Sequence, residues 1–173
     1  IAADKTMKIK VLPTFRPDKA IQIEKKGFAD YVKRLSDVCG FEIKNVNDVI
    51  DALLFRIEYF ASVGCLCADH GLDYCMYAKP ESSLAQEAFE MAMKGECPKK
   101  EAAEEYKTLA TIACAKKYKE LNWVMQIHFG CLRDNNSRQF AALGADSGYD
   151  AVNSQSGVEN VAPLLNAFAE NEG

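Results

Sequence analysis

The chain of 173 residues contains only two histidines, His70 and His128. Both sit among polar residues, in Asp69-His70-Gly71-Leu72-Asp73 and in His128-Phe129-Gly130-Cys131-Leu132-Arg133-Asp134-Asn135-Asn136. A third polar cluster, Thr14-Phe15-Arg16-Pro17-Asp18-Lys19, follows Pro13. A histidine with a carboxylate in reach can move protons near neutral pH. An arginine held between rigid residues suits a fixed carboxylate clamp, because its planar fork binds two oxygens at once. A plainer role stands beside each. Arg16 can pair with a surface carboxylate, Asp69 or His70 can cap the following helix, and His128 can be a satisfied core histidine. Arg133 to Asn136 can be a polar loop opening a helix, with Asn136 as its N-cap. Tyr74 and Tyr77 read as packing residues. The sequence has no Gly-x-Gly-x-x-Gly, P-loop, Gly-x-Ser-x-Gly, His-Glu-x-x-His or His-x-His.

The elements that position these clusters follow from the apolar spacing. Lys8 to Pro13 reads as a first strand stopped by proline. Phe28, Tyr31, Val32, Leu35 and Val38 follow helical spacing up to Gly40, and Val46 to Phe60 forms the clearest amphipathic stripe, ending near Gly64. Cys65 to Ala68 reads as a second strand. Ser83 and Gln86 have capping-box spacing ahead of a helix that runs to Gly95, and a longer helix covers Lys100 to Leu121. Trp123 to Ile127 reads as the third strand. Arg138 to Leu143 is a short helix stopped by Gly144, and Val158 to Ala169 a final one with Pro163 in its first turn. Each strand breaks into ionisable residues at its C-terminal end, where parallel α/β sheets bind ligands. Strands separated by helices imply right-handed crossovers and a parallel sheet. The fold class is therefore α/β with about three parallel strands and helical insertions, arranged as a single segment over residues 1–173. The double-helix crossovers suit part of a (β/α)8 TIM-like barrel better than a compact open sheet.

Composition narrows the function classes. Lys plus Arg number 21 against 25 Asp plus Glu, a formal charge of −4, and no segment carries a basic stripe, so nucleic acid is not expected as a partner. No apolar run approaches the roughly 18 residues of a membrane span, and Ile1 to Lys5 lacks a signal-peptide core. The seven cysteines are odd in number and several fall in apolar patterns, as expected of buried thiols in a reducing cytoplasm. Cys65 and Cys67 share one strand face, but no second cysteine pair has the spacing to complete a zinc site. The first residue is Ile1 rather than Met, which suggests a processed or excised segment.

Four segments together resemble the uronate (glucuronate) isomerase family: Ile9 to Ala20, Ala68 to Asp73, Trp123 to Arg138, and Leu143 to Asp150. Their order and spacing agree from near Met7 to near Asn153. The resemblance implies a distorted barrel of the amidohydrolase superfamily with an active-site zinc. It also implies interconversion of D-glucuronate with D-fructuronate and of D-galacturonate with D-tagaturonate, in hexuronate catabolism in the cytoplasm. It places the zinc ligands outside this chain and assigns none within it. His128 and Asp69 become the catalytic candidates: His128 to polarise a substrate oxygen or sit near the metal, Asp69 to orient a hydroxyl or a neighbouring cation. Arg16 and Arg133 become the residues that bind substrate carboxylate or hydroxyls. The chain is expected to be the middle of a longer enzyme, inactive alone, and to self-associate through its cut sheet edges or to form a homo-oligomer. The competing readings are a non-catalytic α/β domain that binds a sugar acid or serves an interaction role, and a metal-dependent hydrolase of the same superfamily.

Overall fold

The computed structural model describes residue 6 and residues 8–80, 83–155 and 157–169. Two parallel strands form the central sheet, β1 (Cys67–Leu72) and β2 (Val124–Phe129), in a register that sets Asp69 opposite Gln126 and Gly71 opposite His128. Around them lie a one-turn helix α1 (Asp18–Ile21), then α2 (Phe28–Cys39), α3 (Val46–Ser62), α4 (Ser83–Met93) and α5 (Lys100–Glu120). After β2 come a small antiparallel ladder of β3 (Cys131–Leu132) with β4 (Ala151–Val152), the helix α6 (Ser137–Leu143) between them, and α7 (Val161–Ala169).

The expectation of about three parallel strands is corrected to two. Lys8 to Pro13 forms no strand; the chain instead makes one parallel bridge, with the Phe15 N–H donating to the Cys67 carbonyl at 3.1 Å and the Asp69 N–H to the Phe15 carbonyl at 2.9 Å. Pro13 and Pro17 flank this bridge, and neither has an N–H to extend a ladder. The other two strands start and end later than their apolar runs indicate. β1 runs on through Asp69 and His70, and β2 through His128, because those side chains find polar partners and the backbone pairing need not stop at them.

The alternation of β1 is regular: Ala68, His70 and Leu72 are buried, while Cys67, Asp69 and Gly71 are only partly covered. The buried face packs on the helices. There Phe15 meets the rings of Phe60, Tyr118 and Trp123 at centroid distances of 5.2, 6.2 and 6.5 Å, and Tyr118 stacks on Trp123 at 5.7 Å. Helix α5 lies close beneath α1 because its inner face offers Ala102, Ala103 and Ala110, all buried. The Tyr106 hydroxyl, fully buried on α5, donates to the Ala20 carbonyl at 2.8 Å and pins α1 in place.

Helix ends agree with their residues. Gly40 closes α2 at φ 78° and Gly144 closes α6 at φ 82°, conformations that side chains disfavour. The Asn136 side chain accepts from the Gln139 N–H at 3.0 Å, so the expected N-cap of α6 forms. The expected capping box of α4 does not form through Gln86, whose side-chain oxygen accepts from the Val46 N–H at 3.1 Å and joins α4 to α3. The last helix begins as a 3-10 turn at Val158–Asn160 and becomes α-helical at Val161. Among the described residues no helix is long and apolar enough to cross a membrane.

Because Phe15 carries both the bridge to β1 and the aromatic cluster, Phe15→Ala is expected to destabilise the chain by about 3–5 kcal/mol. Urea unfolding followed by circular dichroism measures this, and a loss below about 1 kcal/mol would mean the cluster does not hold the segment.

Candidate active site

The partly open face of the sheet carries the site. Asp69 and Gly71 lie two residues apart on β1 and so share a face, and the parallel register brings His128 of β2 onto the same face opposite Gly71. The His128 Nε2–H donates to Asp69 Oδ1 at 2.8 Å. The other oxygen, Oδ2, lies 3.3 Å from Arg16 Nη1. Arg16 also donates from Nε to Asp18 Oδ2 at 2.7 Å, and both Asp18 oxygens accept the Gly71 N–H at 3.2 Å. His128, Asp69, Arg16 and Asp18 thus form one chain of charge-assisted hydrogen bonds above Gly71.

Glycine at position 71 leaves room for the polar tips that close over it. A Cβ there would lie 2.3 Å from Arg16 Nη2, 2.9 Å from His128 Cε1 and 3.2 Å from Asp18 Oδ2. Helix α1 also substitutes for the missing third strand. Beyond the Phe15 bridge, the Gly71 N–H is taken by the Asp18 carboxylate, and the Gly71 carbonyl accepts from Gln22 Nε2 at 3.0 Å. Side chains satisfy the backbone groups that a neighbouring strand would otherwise pair.

The electrostatics follow from these contacts. The hydrogen bond to Asp18 raises the Arg16 guanidinium further above its ordinary range, with Asp69 adding to the effect. Burial pushes the Asp18 carboxyl up, and Arg16 and the Gly71 N–H pull it back down. In a neutral His128 whose Nε2–H is held by Asp69, Nδ1 is the basic atom; this tautomer is assigned from the hydrogen bond.

Arg133 is anchored separately, in the β3–β4 region. Its Nη1 lies 2.8 Å from Asp150 Oδ2 and 3.9 Å from Asp146 Oδ1. Asp150 also accepts the N–H of Asp134, a residue held at φ 55°, and that backbone bond is the main reason its carboxyl titrates below the usual range. Arg16, His128 and Arg133 all line one cavity of about 600 Å³, with Asp18, Lys19, Lys25 and Gly71 on its wall. Asp69 reaches it through its contacts with Arg16 and His128. All four residues singled out in the sequence therefore converge.

Three readings are corrected or completed by the geometry. Asp69 and His70 lie inside β1 and cap no helix. His70 points to the opposite face from Asp69, fully buried, with Nε2 3.2 Å from the Tyr118 hydroxyl, so of the two histidines only His128 faces the cavity. Arg16 does pair with carboxylates, but these are the partly buried Asp18 and Asp69 rather than surface groups. The sequence reading assigned no role to Asp18, Gly71 or Asp150. The usable signals were an Arg-Pro-Asp tripeptide, which sets two opposite charges on one rigid turn, and a glycine inside a strand, which marks a close approach. Among the described residues no group of three or more His, Cys, Asp or Glu side chains could hold a metal ion. Asp69 and His128 are two potential ligands, but a guanidinium occupies the free side of Asp69, so the residues present do not fit a metal centre.

A family model described as glucuronate isomerase matches residues 1–173. A uronate isomerase of Caldanaerobacter subterraneus is 44% identical over 149 residues, covering 86% of this chain and 32% of the relative. A uronate isomerase of Serratia proteamaculans is 38% identical over 173 residues, covering 100% of this chain and 37% of the relative. The crystal structure of a Thermotoga maritima uronate isomerase superposes with a TM-score of 0.84 at 32% identity, covering 91% of this chain and 35% of that one. The chain spans about a third of the length of the curated relatives it matches.

Two outcomes are expected. Gly71→Ala should separate Arg16 from Asp69 while lowering stability by only about 1 kcal/mol, since an arginine tip can swing aside; a crystal structure with the Arg16–Asp69 contact intact would refute this. Burial lowers the His70 pKa from 6.5 to about 4. The folded state thus disfavours His70 protonation, and its contribution to stability, about 3 kcal/mol, is present above pH 6.5 and lost as pH falls toward 4. His70→Gln should flatten that part of the stability–pH curve, measured by urea unfolding at pH 7 and pH 5.

Proposed function

Because the chain belongs to the glucuronate isomerase family, we propose that it supplies a major part of the active site for aldose–ketose isomerisation of hexuronates in a barrel enzyme. The observation that carries this reading is the His128–Asp69–Arg16 chain of hydrogen bonds opening on the same cavity as Arg133. A cavity of about 600 Å³ suits a six-carbon sugar acid, a small polar ligand that needs several fixed donors.

The isomerisation moves a proton between C2 and C1 while carbonyl and hydroxyl exchange. Such a step needs a group that takes and returns a proton, and donors for the oxygen that becomes negative. His128 supplies the first, with Asp69 holding its ring and balancing the imidazolium when it forms. Arg16, fixed by Asp18 and Asp69, keeps Nη2 beside Gly71 and can donate to a developing oxyanion. Arg133, fixed by Asp150, serves substrate hydroxyls from the wall of the same cavity. The zinc expected of the intact enzyme would be held by residues outside these.

Among the described residues no strand pairs with the far edge of β2, whose first residue Val124 is exposed, and this supports self-association of the isolated chain. Multi-angle light scattering at micromolar concentration should show dimers or larger; a clean monomer would refute it.

A graft tests the function. This chain replaces the matching third of the Caldanaerobacter relative, and conversion of D-glucuronate to D-fructuronate is followed. The graft is expected to be active, and His128→Asn to lower kcat by about 10²–10⁴. A folded graft with no activity, or an unchanged kcat in His128→Asn, would overturn the assignment.

A further inference from the structure

Four cations line the cavity, Arg16, Lys19, Lys25 and Arg133, and they differ in how much of their charge is already spoken for. Arg16 lies between two carboxylates, Asp18 and Asp69. Arg133 lies against Asp150, with Asp146 further out. Lys25 is paired with Asp73. Each arginine with its two acids carries a net negative charge, and the lysine pair is neutral. Lys19 differs: among the described residues it has no carboxylate within ion-pair distance.

Its place in the fold gives that charge a direction. Lys19 stands on α1, one residue after Asp18, where buried Ala20 and Ile21 and the Tyr106 hydrogen bond fix the backbone. The exposed side chain lines both the 600 Å³ cavity and an adjoining one of about 370 Å³. The smaller cavity adds Arg34 and Arg56 and has no carboxylate among its lining residues. The wall around Lys19 is therefore the positive side of a cavity whose other cations are neutralised.

We propose that Lys19 is the residue that selects for the carboxylate of a sugar acid, while Arg16 and Arg133 address its oxygens by hydrogen bonding. This rests on the hexuronate reading of the site. An anion added beside either arginine meets the acids already there, whereas one beside Lys19 meets an uncompensated ammonium. The oxygen at the reacting end then falls to His128 and the carboxylate to α1, so that one ligand spans from β2 to the first helical turn.

The test uses the graft of this chain into the Caldanaerobacter relative, titrated with D-glucuronate and with neutral D-glucose at low salt and followed by calorimetry. The unaltered graft should bind glucuronate more tightly than glucose. Lys19→Met should weaken glucuronate about fivefold and leave glucose unchanged, and Lys19→Arg should keep the preference. Lys19 is exposed, so an unchanged melting temperature confirms that the variants fold. If the graft prefers glucuronate and Lys19→Met retains that preference, the role of Lys19 is overturned and the hexuronate reading stands. If the folded graft shows no preference for glucuronate, both are overturned.

Discussion

The parallel register that sets Gly71 opposite His128 is the constraint on which the rest of the site depends. It leaves a space without a side chain on the open face of the sheet, and three polar groups close over it. Were β1 shifted by one residue against β2, His70 would point toward the cavity and Asp69 into the helices, because strand side chains alternate. The aromatic cluster on the buried face prevents that shift. His70 is held against Tyr118, and Tyr118 against Trp123 and Phe15. The apolar packing on one side of β1 thereby decides which ionisable residues meet on the other.

Helix α1 serves as both strand substitute and scaffold for the cations. Pro13 and Pro17 stop the chain from pairing beyond Phe15, and the turn that follows sends Asp18 and Gln22 to the backbone groups of Gly71. Arg16 is brought over the sheet by the same geometry. A longer first strand would satisfy Gly71 through its own backbone and leave no reason for Asp18 to lie there. The Arg16–Asp18 pair is therefore a consequence of where pairing ends.

Much of this was legible in the sequence. The helices from α2 to α6 lie within a few residues of their apolar stripes, and the three polar clusters converge as the carboxyl-end rule for parallel strands implies. What could not be read was the length of each strand. An ionisable residue such as Asp69 or His128 looks like the end of a strand when partners are unknown, and becomes part of it once Arg16 answers Asp69 and Asp69 answers His128. The first strand failed for the opposite reason: Ile9, Val11 and Leu12 look like a strand, but strands exist only through neighbours, and here the single neighbour is reached at Phe15. Asp18 has Arg16 two residues away, but its contact with the Gly71 backbone spans 53 residues and went unassigned, as did Asp150, whose partner Arg133 lies 17 residues away.

The pairing of three of the four cavity cations with acids is better explained by function than by stability. Arg16 and Arg133 remain 47% and 42% exposed, and ion pairs at such exposure contribute little, about 0–1 kcal/mol each. Geometry is what they gain. Arg16, held at Nε and Nη1, has lost the freedom to follow a ligand and presents its remaining N–H groups in a fixed direction, and Arg133 is restrained at Nη1 alone. A histidine held at Nε2 likewise presents one basic atom. Fixed donors discriminate among oxygens a few ångströms apart on a sugar ring, whereas a mobile charge discriminates anion from neutral ligand without regard to ring position. The site contains both kinds, on different elements. The rigid kind surrounds Gly71, where the register allows no other arrangement, and the mobile kind stands on α1, where exposure leaves it free to move.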